Sequence, residues 1–136
     1  MSFKAKIRTL VVLQVVLLII YLVSTFALES RLPAQLQEYL IQDLESDLSI
    51  SEIVVFIIGG IFFLAELVAL LGLFLFKTWA RRLYVISIAG TYIVVPIIGP
   101  IVDHAFAYTI DSASALVTGM TLALLILNDE YKNTCT

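Results

Sequence analysis

The residue with the clearest chemical potential is Glu66, which lies within the apolar run FFLAELVALL at positions 62 to 71. A carboxyl in such a run can bind a cation, relay a proton or, when protonated, tie neighbouring helices together by hydrogen bonds. A fixed charge near the bilayer centre costs between about 3 and 17 kcal/mol, and no Lys, Arg or His lies within an apolar run. We therefore expect Glu66 to be neutral at rest, unless it is paired or faces water.

Other polar residues fall at a similar predicted depth and are candidate partners of this acid. Counting residues along each apolar run places Thr91, Tyr92, Thr118 and Thr121 near the middle of the membrane, and Gln14 about one and a half turns nearer the cytoplasm. Three roles stay open for Glu66. It is a neutral acid that joins helices, an ion or proton site, or a carboxyl in a water-filled crevice.

A second set of polar residues follows the sequence PIIGP at positions 96 to 100. Its two prolines lack a backbone donor, so we expect a kink or an early helix end there. Asp103, His104 and Asp111 follow and are predicted to lie near an outer mouth. One imidazole with two carboxylates is a poor set for a metal ion, so we expect solvated turn residues, with no metal and no other cofactor.

Sequence motifs of common enzymes are missing from the chain. It contains no G-x-S-x-G, no H-E-x-x-H and no phosphate-binding glycine loop. A single His and a single Cys, at position 135, leave no pair of nucleophile and base. The few basic residues do not form a stripe for nucleic acid. We therefore expect a protein that is not an enzyme and does not bind nucleic acid.

Composition indicates which elements position these residues. Of 136 residues, 61% are hydrophobic, whereas soluble domains average roughly 45–50%. Four apolar segments can cross a hydrocarbon core of about 30 Å, at positions 9–28, 53–76, 83–102 and 112–127. The sequence therefore predicts one all-α membrane domain, residues 1–136, with four transmembrane helices arranged as two hairpins.

Charges at the ends of these segments predict their orientation. Seven of the eight basic residues fall on one side: Lys4, Lys6, Arg8, Lys77, Arg81, Arg82 and Lys132. Because basic loops are retained in the cytoplasm, we expect both termini to be cytoplasmic, in a multi-pass protein of a bacterial inner membrane.

An amphipathic helix is predicted at positions 33–49, on the outer side between the first two spans. Leucines recur every four residues from position 32 to 48, and Pro33 suits a first helical turn. The other face is acidic and carries Glu38, Asp43, Glu45 and Asp47. Either the leucines pack on the bundle as a lid, or the helix is a docking surface for a basic or apolar partner.

Three motifs in the C-terminal half are W-A-R at 79–81, I-I-G-P at 97–100 and G-M-T-L-A-L-L-I at 119–126. Their arrangement resembles that of small four-helix bacterial inner-membrane proteins, a resemblance that implies no activity. The chain is also similar in size to the four-helix small multidrug transporters, which carry one membrane-embedded Glu. Their acid belongs to the first helix, which here has only Gln14.

Two functions follow as hypotheses. In the first, the protein is an assembly, regulatory or immunity-type subunit that binds another membrane protein. In the second, it is a homo-oligomeric ion or proton channel or a small transporter that uses Glu66. The expected partners are the lipid bilayer and either further copies of the chain or a larger membrane protein.

Overall fold

The computed structural model describes residues 2–28, 31–45, 50–98 and 104–127. Within these ranges the chain forms α-helices and no strand, in this order: α1 Phe3–Leu28, α2 Ala34–Glu45, α3 Ile50–Phe74, α4 Thr78–Ile98 and α5 Ala105–Leu127. Four of them, α1, α3, α4 and α5, are long and apolar enough to cross a membrane. Within the described residues, the predicted all-α class with four helices able to span a membrane is thereby confirmed.

Helix α5 begins earlier than the sequence predicts. Its first residue is Ala105, seven positions before the expected start at 112, so Asp111 lies in the second turn of a helix and not in a turn between helices. The early start has a local cause, because His104 Nδ1 accepts the backbone N–H of Phe106 at 3.2 Å. This bond satisfies one of the free donors at the helix N-terminus. Asp103 lies outside the described residues.

A tight turn joins α3 to α4. The Lys77 N–H donates to the Gly72 carbonyl at 2.9 Å, and the Phe76 N–H donates to the Leu73 carbonyl at 3.1 Å. This pair of bonds is the Schellman motif, in which the residue after the helix adopts a left-handed conformation. Phe76 does so with φ 55°, at a cost of about 1–2 kcal/mol for an L-residue. Burial of its ring, which is 5% exposed, offsets that cost.

The spanning helices do not pair as the predicted hairpins. Helix α3 packs most extensively on α4 and α1 packs on α5, whereas α1 and α3 share a smaller contact. Each helix therefore packs on the next in the order α4, α3, α1, α5. Helices α4 and α5 stand at the two ends of this series and make little direct contact through their backbones.

The hydrophobic core lies toward one end of the bundle. Its buried residues are Ile7, Val11, Ala69, Leu70, Leu73, Phe76, Ala80, Tyr84, Ile88 and Leu125. They come from the start of α1, the end of α3, the turn after it, the first half of α4 and the end of α5. Lys4 and Arg8 lie over the Phe76 ring, at 5.7 and 5.4 Å from its centre. We call this the basic end.

Two glycines let α4 approach α3 closely. A Cβ atom on Gly72 would lie 2.7 Å from the Ala80 Cβ and 2.8 Å from the Trp79 ring. A Cβ atom on Gly90 would overlap the ring of Phe62. Because side chains would push the helices apart at both places, these contacts fix how α3 is rotated against α4.

Helix α2 is separate from the core. Leu36 and Ile41 of its predicted apolar stripe are 39% and 56% exposed, and α2 has no extensive contact with another helix. Glu38 is also exposed, whereas the side chains of Asp43, Glu45 and Asp47 lie outside the described set. Leu32, just before the helix, is buried, so the lid and the docking surface both stay predictions, as does the amphipathic character of the helix.

Candidate functional site

A cavity of about 650 Å³ lies between α4 and α5 and extends from the middle of the bundle toward the end opposite the basic end. It occupies the space where these two helices separate, with α1 and α3 behind it. Its polar and aromatic lining residues are Tyr21, Glu66, Thr91, Tyr92, Tyr108, Asp111, Ser114 and Thr118. The volume falls within the roughly 300–1,000 Å³ of pockets that hold small organic molecules.

Glu66 lies at the inner part of this cavity and is half-buried. It follows residue 62, the middle of α3, by four positions, or about 6 Å toward the basic end. Residues four apart share a helix face, so the contact of Phe62 with Gly90 also turns Glu66 toward α4. Among the described residues, the carboxyl has no hydrogen bond and no ion pair. It is therefore available to a group that enters the cavity.

Three tyrosines give the cavity an aromatic character. Tyr92 and Tyr108 are exposed and stand on α4 and α5, at the two sides of the opening, while Tyr21 is half-buried on α1 behind them. Two acids, Glu66 and Asp111, share the cavity with these rings, and none of its described lining residues is basic. Ring faces and carboxylates both carry negative potential, so the cavity favours a cation.

Helix α4 adds unused hydrogen-bonding capacity at this site. Thr91 Oγ1 is buried and has no hydrogen-bond partner among the described residues. Pro96 lies inside α4 and has no N–H, so the Tyr92 carbonyl four residues earlier lacks its usual helical donor. The helix continues to Ile98, so it does not end at this proline.

A buried cluster of three polar side chains closes the cavity toward the basic end. Gln14 Nε2 donates to Thr118 Oγ1 at 2.6 Å and lies 2.8 Å from the Tyr84 hydroxyl. That hydroxyl donates to Gln14 Oε1 at 3.0 Å. The three side chains are buried and join α1, α4 and α5. Because Thr118 also lines the cavity, we call this cluster the polar floor.

The polar residues that the sequence places within the membrane lie in the cavity, in the polar floor or, for Thr121, against their own helix. The cavity brings together Glu66, Thr91, Tyr92 and Thr118. Gln14 belongs to the polar floor and is not bonded to Glu66. Thr121 is buried and donates to the Val117 carbonyl of its own helix at 2.9 Å. Of the predicted outer group, Asp111 lines the cavity and His104 caps α5.

Sequence reasoning did not select Tyr21, Tyr84 or Tyr108. Tyr84 lies near the start of the predicted third span, and Tyr108 lies before the predicted start of the fourth. A signal was nevertheless present on α5, where Tyr108, Asp111 and Thr118 recur at helical spacing. Extending the fourth span to position 105 would have brought these three residues onto one helix face.

A comparison of the chain with protein-family models, curated proteins and solved structures finds no match.

Proposed function

We propose that this protein is a small membrane transporter, or one subunit of a homo-oligomeric channel, that binds an organic cation in the cavity between α4 and α5. The observation that carries this proposal is a cavity of about 650 Å³ that contains two acids, three tyrosines and no base among its described lining residues. A proton or a bare metal ion needs far less space, whereas this volume suits a small organic molecule.

Glu66 supplies the counter-charge in this proposal. A carboxylate at this depth is costly when it stands alone, and a bound cation removes much of that cost. The tyrosine rings add about 0.5–2 kcal/mol for each cation–π contact, depending on exposure. Thr91 lines the cavity, and its Oγ1 is buried without a partner among the described residues, so an ammonium ligand that carries an N–H can bond it once the Thr91 side chain rotates toward the ligand.

The orientation is part of the proposal. The start of α1 lies beside the junction of α3 with α4. The Arg8 guanidinium carbon is 5.3 Å from the centre of the Phe74 ring and 5.4 Å from that of Phe76. By the positive-inside rule this basic end faces the cytoplasm of a bacterial inner membrane. The cavity then extends from the middle of the membrane toward its outer side, and the polar floor separates it from the cytoplasmic side.

Binding of benzyltrimethylammonium to the purified protein in nanodiscs tests the proposal by titration calorimetry. We expect Glu66→Gln to weaken binding by about tenfold or more, equivalent to 1.4 kcal/mol for each factor of ten. Glu52→Gln is the matched control, since it removes an acid from the same helix that does not line the cavity. Tyr92→Phe keeps the ring and should bind normally, whereas Tyr92→Leu should bind more weakly.

Two results would count against this function. Equal affinity of the wild type and Glu66→Gln would remove the acid from the site, and equal binding of benzoate would show that the cavity does not select cations. Uptake of the same cation into proteoliposomes then separates transport from binding alone. Uptake that does not depend on Glu66 would contradict a role of this cavity in transport.

A second function, as a subunit that binds another membrane protein, is favoured by the exposed apolar residues of α2. Leu36 and Ile41 are exposed beside the acidic Glu38, so this face is open to a partner. In native mass spectrometry of the particle extracted from its membrane, we expect Leu36→Glu to abolish a fixed-stoichiometry complex. Gln35→Glu adds the same charge beside the stripe and should preserve it. A complex that survives Leu36→Glu would exclude this surface.

A further inference from the structure

A second groove lies on the opposite side of the bundle from the contact between α3 and α4. It has a volume of about 470 Å³, runs between α1 and α5 near the basic end, and is lined by Lys6, Thr9, Leu10, Met120, Ala123 and Leu124. Only Lys6 and Thr9 are polar, and both are exposed. The groove shares no lining residue with the cation cavity.

The three basic residues at the start of α1 have different surroundings. Lys4 and Arg8 lie one turn apart on one face and lie over the Phe76 ring. Lys6 lies about 200° around the helix from Lys4 and therefore faces away from that ring. Among the described residues, its ammonium contacts no acid and no aromatic ring. The groove thus has one cation at its membrane-surface end without a partner in the described chain.

We propose that this groove binds one anionic phospholipid from the leaflet at the basic end. Its phosphate lies against Lys6 and the Thr9 hydroxyl, and one acyl chain follows Leu10, Met120 and Leu124 into the membrane. The depths agree with this arrangement, because Leu10 lies four residues, or about 6 Å, deeper than Lys6. Basic pockets between transmembrane helices on the cytoplasmic side are known to suit acidic lipid head groups.

Charge selects an anionic lipid over a zwitterionic one. The chain carries a formal net charge of −3, so its overall field does not attract an acidic lipid. A preference for such a lipid must therefore come from a local site. A zwitterionic head group brings its own cation close to Lys6, which weakens the attraction, whereas phosphatidylglycerol adds no cation.

Native mass spectrometry of the full chain with phosphatidylglycerol or phosphatidylcholine in mixed micelles tests this site. We expect the wild type to retain one phosphatidylglycerol in preference to phosphatidylcholine. Lys6→Gln should weaken phosphatidylglycerol binding by about fivefold and leave phosphatidylcholine binding unchanged. Arg82→Gln is the control, because Arg82 is an exposed base near the same end of the bundle but outside the groove.

A second variant tests the apolar part of the site. Ala123→Phe fills the groove without changing charge and should displace the bound lipid while the helix content stays the same. Equal losses in Lys6→Gln and Arg82→Gln would indicate general surface attraction and overturn the proposal. Equal retention of both lipids by the wild type would also overturn the proposal. So would a wild-type dimer that Ala123→Phe disrupts, because a second copy of the chain would then occupy the groove.

Discussion

The polar floor provides the sharpest test of the packing, through a double-mutant cycle on Gln14 and Tyr84. The Tyr84 hydroxyl is fully buried and bonds the Gln14 amide, whose Nε2 also donates to Thr118. Tyr84→Phe leaves Gln14 Oε1 without its donor. Gln14→Leu removes the amide partner of the Tyr84 hydroxyl and leaves it only the hydroxyls of Thr118 and Thr121 among the described residues. Thr118 is less affected, because a threonine in a helix can bond a carbonyl of the preceding turn, as Thr121 does.

The expected magnitudes follow from these partners. A polar group left buried without a bond costs about 1–3 kcal/mol in proteins, whereas hydrogen bonds between membrane helices average about 0.6 and reach about 1.7 kcal/mol. We expect each single variant to lose about 1–2 kcal/mol of unfolding free energy. The double variant leaves neither buried group unpaired, so its loss should be smaller than the sum by about 1 kcal/mol.

Reversible unfolding in mixed micelles with increasing dodecyl sulfate, followed by circular dichroism, measures these free energies. The control cycle combines Tyr84→Phe with Ser112→Ala, whose exposed hydroxyl bonds the Tyr108 carbonyl of its own helix at 3.0 Å. We expect the control pair to be additive. If the Gln14 and Tyr84 losses were also additive, the two side chains would not be coupled and the polar floor would be disproved.

Two further variants probe the helix contact and the cavity. Gly72→Ala should lose about 1–3 kcal/mol of unfolding free energy, because its Cβ would overlap Ala80. The control Gly60→Ala should be neutral or slightly stabilising, because a Cβ at Gly60 has no atom within 4 Å. Equal effects of the two variants in dodecyl sulfate unfolding would refute the close approach at Gly72. Thr91→Val replaces a buried hydroxyl that has no partner among the described residues, so stability should be unchanged or higher. Dimethylbenzylammonium retains an N–H, so its affinity measured by calorimetry should fall several-fold in Thr91→Val. Benzyltrimethylammonium has no N–H and should bind as before. An unchanged affinity for both cations would mean that Thr91 does not contact the ligand.

The cavity and the polar floor share Thr118, which lines the cavity and bonds Gln14. A cation that passes from the cavity toward the basic end must separate Gln14 from Thr118 or move around this bond. In the proposed transport cycle, Gln14→Leu therefore weakens the barrier between the two sides. This variant should raise cation leak in proteoliposomes while Glu66 still binds the ligand.

The four spanning helices were predictable because their cause is local. A backbone in hydrocarbon must satisfy its own hydrogen bonds, so apolar runs of about 20 residues become helices whatever their neighbours are. Glu66 was predictable for a related reason, since an acid in such a run is conspicuous in the sequence alone. The start of α5 was harder to predict, because it depends on the cap that His104 forms.

The sequence by itself determined the four helices that are long and apolar enough to span a membrane, the acid within one of them and the clustering of basic residues, all of which follow from hydropathy and charge along the chain. Only the tertiary structure decided that Gln14 meets Tyr84 and that Glu66 shares a cavity with Tyr108. The physical reason is that a helix that is apolar on all sides has no preferred face. Its rotation and its neighbours are set by close contacts, such as that of Gly90 with Phe62, which exist only after the helices have packed.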